Sequence, residues 1–228
     1  MRFHSNIDQG TDAWRRLRLG IPTASNFHHV ITPAGKPVDS RERNRYKYKL
    51  VAERILGSVI DEEYTNHWME RGITLEDEAA LALERILHRG LEPGGFVTTD
   101  DGRFGCSPDR LLVSKNSREA VEIKCPSPQV HIGHICEGPG DRYKPQVQGQ
   151  LLVGEYVAVH FWSWNPQLPP VHIVTERDEA YIGKMMELLD LFANEVDAAE
   201  DFVRKKIHDQ DALAEILDFS APLPPWKD

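Results

Sequence analysis

Three side chains in this 228-residue sequence have types and spacing suited to hydrolytic chemistry: Asp109, Glu122 and Lys124. Alternate residues of a strand share a face, so Glu122 and Lys124 in the run AVEIK project together while Val121, Ile123 and Cys125 project oppositely. The preceding stretch FGCSPDRLLV predicts a partner strand, joined through the polar turn Ser114-Lys115-Asn116-Ser117-Arg118. Antiparallel pairing about that turn brings Asp109 within reach of Glu122. Buried carboxylates repel one another, so a set of Asp109, Glu122 and an inward-facing Glu76 from an earlier helix requires a compensating cation. Lys124 supplies one charge, and a divalent metal ion supplies more. Oxygen donors select Mg²⁺ or Mn²⁺ over zinc. Two such ions, roughly 3.5–4 Å apart, activate water and stabilise a leaving oxygen in phosphodiester hydrolysis. Lys124 would orient or deprotonate that water and balance charge on the phosphate. A half-buried sheet also produces a Glu-x-Lys alternation, so the weight rests on the Pro108-Asp109 pair upstream and on the helical acid.

The elements that must position these residues are legible as periodicities. A short helix is expected over residues 11–19, carrying Trp14, Leu17 and Arg18. Pro22-Thr23-Ala24-Ser25 reads as a second helix start, with Thr23 or Ser25 as cap and Phe27, Val30 and Ile31 following. A cation-rich helix is expected over 41–56. A long one over 68–88 carries an apolar stripe of Leu75, Ala79, Ala80, Leu83, Ile86 and Leu87, with Glu76 on its buried side. Strands are expected at 95–99, 104–113 and 120–124, then a loop rich in Gly, Pro and His, a helix opened by Pro145, and strands at 156–164 and 171–175. Residues 178–196 and 202–217 read as two closing helices. Helices followed by strands with one helix inserted predict an α/β fold, a central mixed sheet flanked by helices.

Composition frames this reading. Hydrophobic residues make up 40% and charged residues 28%, and the length accommodates one large domain spanning 1–228, with about 200–228 as a C-terminal helical extension. No apolar run approaches the ~20 residues of a membrane helix, and MRFHSNIDQG lacks the apolar core of a secretory signal. Three cysteines at 106, 125 and 136 form neither an even set nor a C-x-x-C pair, which fits a reducing cytoplasm. The net charge of −9 hides an asymmetry: residues 1–58 hold eleven Lys/Arg against five Asp/Glu, a surplus of +6, leaving −15 for the remainder. A basic segment containing Arg41, Arg43, Arg45 and Lys47 on an acidic body suits one polyanion-facing end, although a solvated helix face has the same composition.

Other chemistry-bearing residues have simpler readings. His28-His29 and His131-x-x-His134-x-Cys136 suggest zinc, but the second set lacks a fourth ligand nearby. Cys106 and Cys125 flank the acids and read as small apolar packing residues, and three cysteines fall short of an iron–sulfur cluster. Phe161, Trp162 and Trp164 read as core, whereas Trp14 and Trp68 are candidates to meet nucleic-acid bases.

The Pro-Asp followed by Glu-x-Lys resembles the PD-(D/E)xK nuclease core, and the chain more closely resembles the lambda exonuclease or YqaJ-like viral recombinase family. The matching stretches are WRRLRLGIPTAS, GITLEDEA, CSPDRL, VEIKCP, YKPQVQGQL and ERDEAYI, in the family's order over residues 14–182. The resemblance implies Glu76, Asp109, Glu122 and the carbonyl of Ile123 as metal ligands, Lys124 as catalytic lysine and Gln146 as the active-site glutamine. It implies a 5′-phosphate site at Arg18 and Ser25; Pro22 departs from the family's pattern there. The implied activity is Mg²⁺-dependent 5′-to-3′ exonucleolysis of linear double-stranded DNA, with Mn²⁺ as substitute, in phage-type recombination within a bacterial host. The implied partners are a single-strand annealing protein and further copies of the chain in a homotrimer. A structure-specific or restriction-like endonuclease and a catalytically silent DNA-binding module are the alternatives; the retained acids and lysine disfavour the second.

Overall fold

The computed structural model describes residues 1–4, 7, 9–60, 67–113 and 118–208. In chain order the elements are β1 (Arg2–His4), α1 (Asp12–Arg18), a 3₁₀ segment Ala24–His29, α2 (Arg41–Leu56), α3 (His67–Leu87), β2 (Glu92–Pro93), β3 (Phe96–Thr98), β4 (Gly105–Cys106), β5 (Arg110–Val113) and β6 (Arg118–Lys124). There follow α4 (Pro128–Glu137), α5 (Lys144–Val153), β7 (Ala158–Asn165), β8 (Leu168–Glu176) and α6 (Glu179–His208). Five strands form a mixed sheet in the order β2-β5-β6-β7-β8, parallel only between β6 and β7, and β1-β3-β4 form a small antiparallel sheet. The predicted mixed α/β architecture is what the chain adopts.

Strand alternation divides the core in two. Val121, Ile123, Leu112 and Trp162 pack on one face against Ala79, Ala80 and Leu83 of α3. The Trp162 indole N–H donates to the Ala79 carbonyl at 2.9 Å, which ties helix to sheet. The opposite face carries Leu111, Ala120 and Val159, covered by α5, α6, α2 and the 3₁₀ segment. Asp109, Glu122 and Lys124 share the parity of this second face, so α5 is the helix that meets them.

Four expectations need correction. First, residues 104–113 are not one strand. β4 pairs with β3, β5 pairs with β6, and Ser107-Pro108-Asp109 crosses between the sheets. Proline has no N–H for a ladder, and Ser107 Oγ donates to the Gly95 carbonyl instead of extending the strand. Second, the Gly-Pro-His loop contains α4, opened by Pro128. Its buried residues are His131 and His134 while Val130, Ile132 and Ile135 are exposed, so its hydrophobic pattern is inverted. Third, α6 runs unbroken to His208, because Asp197 to Asp201 contains neither Gly nor Pro to stop it. Fourth, Ile86 is exposed rather than part of the buried stripe. The helix at 41–56 and the short helix capped by Thr11 stand where expected. The turn at 114–117, the side chain of Trp68 and the helix expected beyond residue 208 lie outside the described residues.

Candidate active site

The β5–β6 hairpin sets the site's frame. Arg110 pairs with Val121, so Asp109, one residue earlier, stands opposite Glu122. The Asp109 N–H donates to the Val121 carbonyl at 3.0 Å, and its Oδ2 accepts from the Ile123 N–H at 2.6 Å. Asp109 is thereby fixed by backbone contacts although it sits outside the strand. Gly94 permits this placement, because a Cβ there would stand 1.7 Å from the Pro108 carbonyl oxygen. Gln9 Nε2 donates to the same oxygen at 2.9 Å.

Glu122 lies at the centre, with its side chain only 3% exposed. Lys124 Nζ donates to its Oε1, Gln146 Nε2 reaches the same oxygen at 2.6 Å, and Gln150 Nε2 donates to Oε2 at 2.5 Å. Gln146 and Gln150 are one helical turn apart on α5, so both amides reach one carboxylate. Burying that charge costs several kcal/mol, which three charge-assisted hydrogen bonds of about 1.5–3 kcal/mol each can offset. Burial, with the nearby charges of Glu122 and Glu76, drives the Asp109 carboxyl well above the ordinary carboxylate range, opposed by Lys124. Burial pulls the Lys124 ammonium down, but Glu122 and Asp109 outweigh it and leave its pKa raised. Ionising Asp109 beside Glu122 would therefore place more negative charge in the site than its lysine balances.

Glu76 is the one predicted acid that does not join the cleft. It comes from α3, on the other side of the sheet, where Arg110 also points. Arg110 donates to Glu76 Oε1 and to Asp77 Oδ1, each at 2.6 Å. Among the described residues no three His, Cys, Asp or Glu side chains gather closely enough to hold an ion by themselves. The donor set is nonetheless suited to a hard divalent cation: two adjacent carboxylates, Asp109 raised by burial and by the charge of Glu122, offering oxygen donors.

Asp109, Glu122, Lys124, Gln146 and Gln150 line a cleft of about 210 Å³ together with Trp14, Arg18, Thr23 and Ser25. The N-terminal wall is rigidly built. Trp14 Nε1 donates to Ser107 Oγ at 3.0 Å, and the Arg18 guanidinium lies 4.0 Å over the indole ring. Ser25 is exposed, its Oγ 3.3 Å from Thr23 Oγ1. Gly20, at φ +68°, is clamped to α2: its N–H donates to buried Glu53 at 2.9 Å and its carbonyl accepts from Arg54 Nε at 2.6 Å. The Thr23 N–H donates to the Tyr46 hydroxyl at 3.1 Å, and burial pushes that hydroxyl up to about 12. The predicted helix start is a six-residue 3₁₀ segment without a side-chain cap, so the wall offers side chains rather than a long helix end.

The four cations of α2 expected to face DNA divide. Arg43 grips Glu195 of α6 with two nitrogens at 2.9 and 2.7 Å, and Lys47 approaches the same carboxylate at 3.4 Å. Arg41 and Arg45 are exposed. His131 and His134 both hydrogen-bond the Ser163 hydroxyl at 2.8 Å, which accounts for their burial without zinc. Cys106 and Cys125 are buried, and burial pushes the Cys125 thiol up to about 12, as inert packing residues require. Phe161, Trp162 and Trp164 are core. Gln150 was not singled out from sequence; its spacing, four residues after Gln146, was the signal for it.

A profile of the YqaJ-like viral recombinase domain matches residues 13–157. No curated protein matches the chain. Among solved structures, the crystal structure of an alkaline exonuclease, LHK-Exo, from Laribacter hongkongensis superposes with a TM-score of 0.77 at 27% identity, covering 87% of this chain and 98% of that one. LHK-Exo in complex with dAMP gives the same TM-score and coverage at 28% identity. A phage-related exonuclease from Haemophilus somnus 129PT shares the fold, with a TM-score of 0.61 at 15% identity over 82% of this chain and 96% of that one.

Proposed function

The chain belongs to the YqaJ-like viral recombinase domain family, and from that premise we propose that it is a Mg²⁺-dependent exonuclease that degrades the 5′-ended strand of linear double-stranded DNA. The observation that carries this reading is one cleft lined by Asp109, Glu122 and Lys124 together with Arg18 and Ser25. Hydrolytic residues and a phosphate-suited wall thus share a single space. The similarity to an alkaline exonuclease over nearly all of that protein supports the same reading.

Asp109, Glu122 and the Ile123 carbonyl would hold Mg²⁺, with Glu76 joining only if Arg110 releases it. When bound, the ion supplies Lewis-acid charge and a nucleophilic water at neutral pH. Lys124 holds its positive charge beside the scissile phosphate and stabilises the charge that develops in the transition state. Gln146 orients Glu122 through its Oε1. Arg18 presents a planar fork to the terminal 5′-phosphate, with the Ser25 hydroxyl as a second donor. Arg41 and Arg45 extend the contact to the duplex backbone. Work beside a single-strand annealing protein in phage-type recombination, as a homotrimer, completes the proposal.

The test is a time course on linear duplex labelled separately at each end, with 5′-phosphate or 5′-hydroxyl termini, in Mg²⁺ and in EDTA. Mononucleotide release from 5′-phosphorylated strands in Mg²⁺ alone is expected. Internal cuts on circular duplex at the same rate would replace the exonuclease reading with an endonuclease.

A further inference from the structure

Glu122 has two oxygens, and the structure treats them differently. Oε1 is shared by Lys124, whose side chain is 28% exposed, and Gln146, half-buried in the first turn of α5. Either donor can leave by rotating toward the cleft. Oε2 accepts from Gln150, which is 1% exposed and flanked by buried Gly149 and Leu151. Tight packing on both sides leaves the Gln150 amide little freedom to withdraw.

Gln150 carries a second mark. Its Oε1 is buried and has no hydrogen-bond partner. Rotating the amide by half a turn would set that oxygen against the Glu122 carboxylate, acceptor against acceptor, so the contact with Glu122 fixes the orientation. A buried carbonyl left unpaired is uncommon and costly. The sequence keeps an amide here, where a methionine or leucine would fill the same space without that cost.

Resting on the metal-dependent reading above, we propose that Gln150 is a positioning residue that holds Glu122 by Oε2, so that Glu122 meets the divalent cation through Oε1 alone. Gln150 does not touch the cation. It would leave Oε1 as the oxygen open to a cation, and it would keep the carboxylate plane fixed. Partners of this kind orient a ligand and typically change metal affinity by about 10–100-fold when removed.

The test titrates Mn²⁺ calorimetrically into the full chain without DNA, comparing wild type, Gln150→Met and Gln150→Asn. Methionine preserves the volume without the donor, and asparagine keeps an amide too short to reach Oε2. Both variants are expected to bind Mn²⁺ about 10–100-fold more weakly, with the Met variant's melting temperature close to wild type. A folded variant with wild-type Mn²⁺ affinity overturns the inference. Should neither variant fold, a crystal structure of the wild type with Mn²⁺ decides: both Glu122 oxygens on the cation, or Gln150 detached from Oε2, refutes it, and Oε1 alone supports it. Absence of Mn²⁺ binding by the wild type would overturn the metal-dependent reading itself, a result distinct from equal binding by wild type and variants.

Discussion

Lys124→Met separates the two charges that the cleft must manage. Methionine keeps most of the lysine stem and removes the ammonium that donates to Glu122. Two unit charges 4 Å apart interact by about 4 kcal/mol at an effective dielectric of 20. With the side chain 28% exposed, solvent screening is partial, and the stabilisation of phosphate charge is placed at about 2.7–4 kcal/mol, or 10²–10³-fold in kcat. KM should change little, because that charge develops mainly in the transition state. Cation binding should move the other way: with the ammonium gone, Glu122 Oε1 is freer and the site more negative. Without metal, the Asp109 carboxyl, already raised, takes up a proton more readily, and added Mg²⁺ should restore much of the thermal stability the variant loses. The assay is single-turnover cleavage of end-labelled linear duplex in Mg²⁺, with DNA binding measured in Ca²⁺ and Mn²⁺ affinity by calorimetry. A variant that loses DNA or cation binding in proportion to its rate would refute the assignment of Lys124 to the transition state.

The other outcomes test the surrounding frame. Arg18→Ala should shrink the preference for 5′-phosphorylated over 5′-hydroxyl duplex by about one to two orders of magnitude, as loss of a charge-assisted contact of roughly 1.5–3 kcal/mol implies; an undiminished preference places the end pocket elsewhere. Neutralising Arg41 and Arg45 should flatten the salt dependence of DNA binding by up to ~0.9 per lost phosphate contact, whereas Arg43→Ala should chiefly lower the melting temperature because Arg43 is bound to Glu195. Arg43 holds the Glu195 carboxyl below its ordinary pKa, so this contribution is present above the ordinary glutamate range and lost as pH falls through the lowered value. Glu195→Gln should therefore flatten the acid limb of a melting-temperature profile, and an identical acid limb would count against the pair. Gly94→Ala should lower both stability and cleavage by moving Pro108 and Asp109, and full activity in a folded Gly94→Ala protein would show that the crossover tolerates displacement.

How much of this was legible in the sequence depended on whether a signal was local. The shared face of Glu122 and Lys124 follows from the two-residue period of a strand, and the cation-rich run at 41–56 contains neither Gly nor Pro to break a helix, so both stand as predicted. The crossover at Ser107-Pro108-Asp109 was misread because an apolar run bridges it, and only tertiary pairing shows that its halves belong to different sheets. α4 was invisible to hydrophobic periodicity because its inward positions are histidines satisfied by a serine on β7. Glu76 was predicted inward from the helical stripe, but nothing local to α3 announces that Arg110, on a strand 34 residues later, takes its carboxylate. The cations of α2 gave one compositional signal, and the long-range partner Glu195 divides them into a packing pair and an exposed pair.

The break that sequence periodicity missed is also what makes the site possible. Had residues 104–113 run as one strand, Asp109 would have donated and accepted within a regular ladder, its carboxylate one of a row. Leaving the small sheet at Cys106 and entering the large one at Arg110 frees the intervening backbone. Asp109 can then accept from the Ile123 N–H while remaining opposite Glu122. The same crossover presents the Ser107 hydroxyl to the Trp14 indole, and Trp14 stacks with Arg18. One irregular tripeptide thereby couples the acidic floor of the cleft to its cationic wall. On the proposed roles, substitutions at Gly94 or Ser107, which bear on the crossover shared by floor and wall, should disturb cleavage and end preference together, whereas Lys124 and Arg18 should disturb one each.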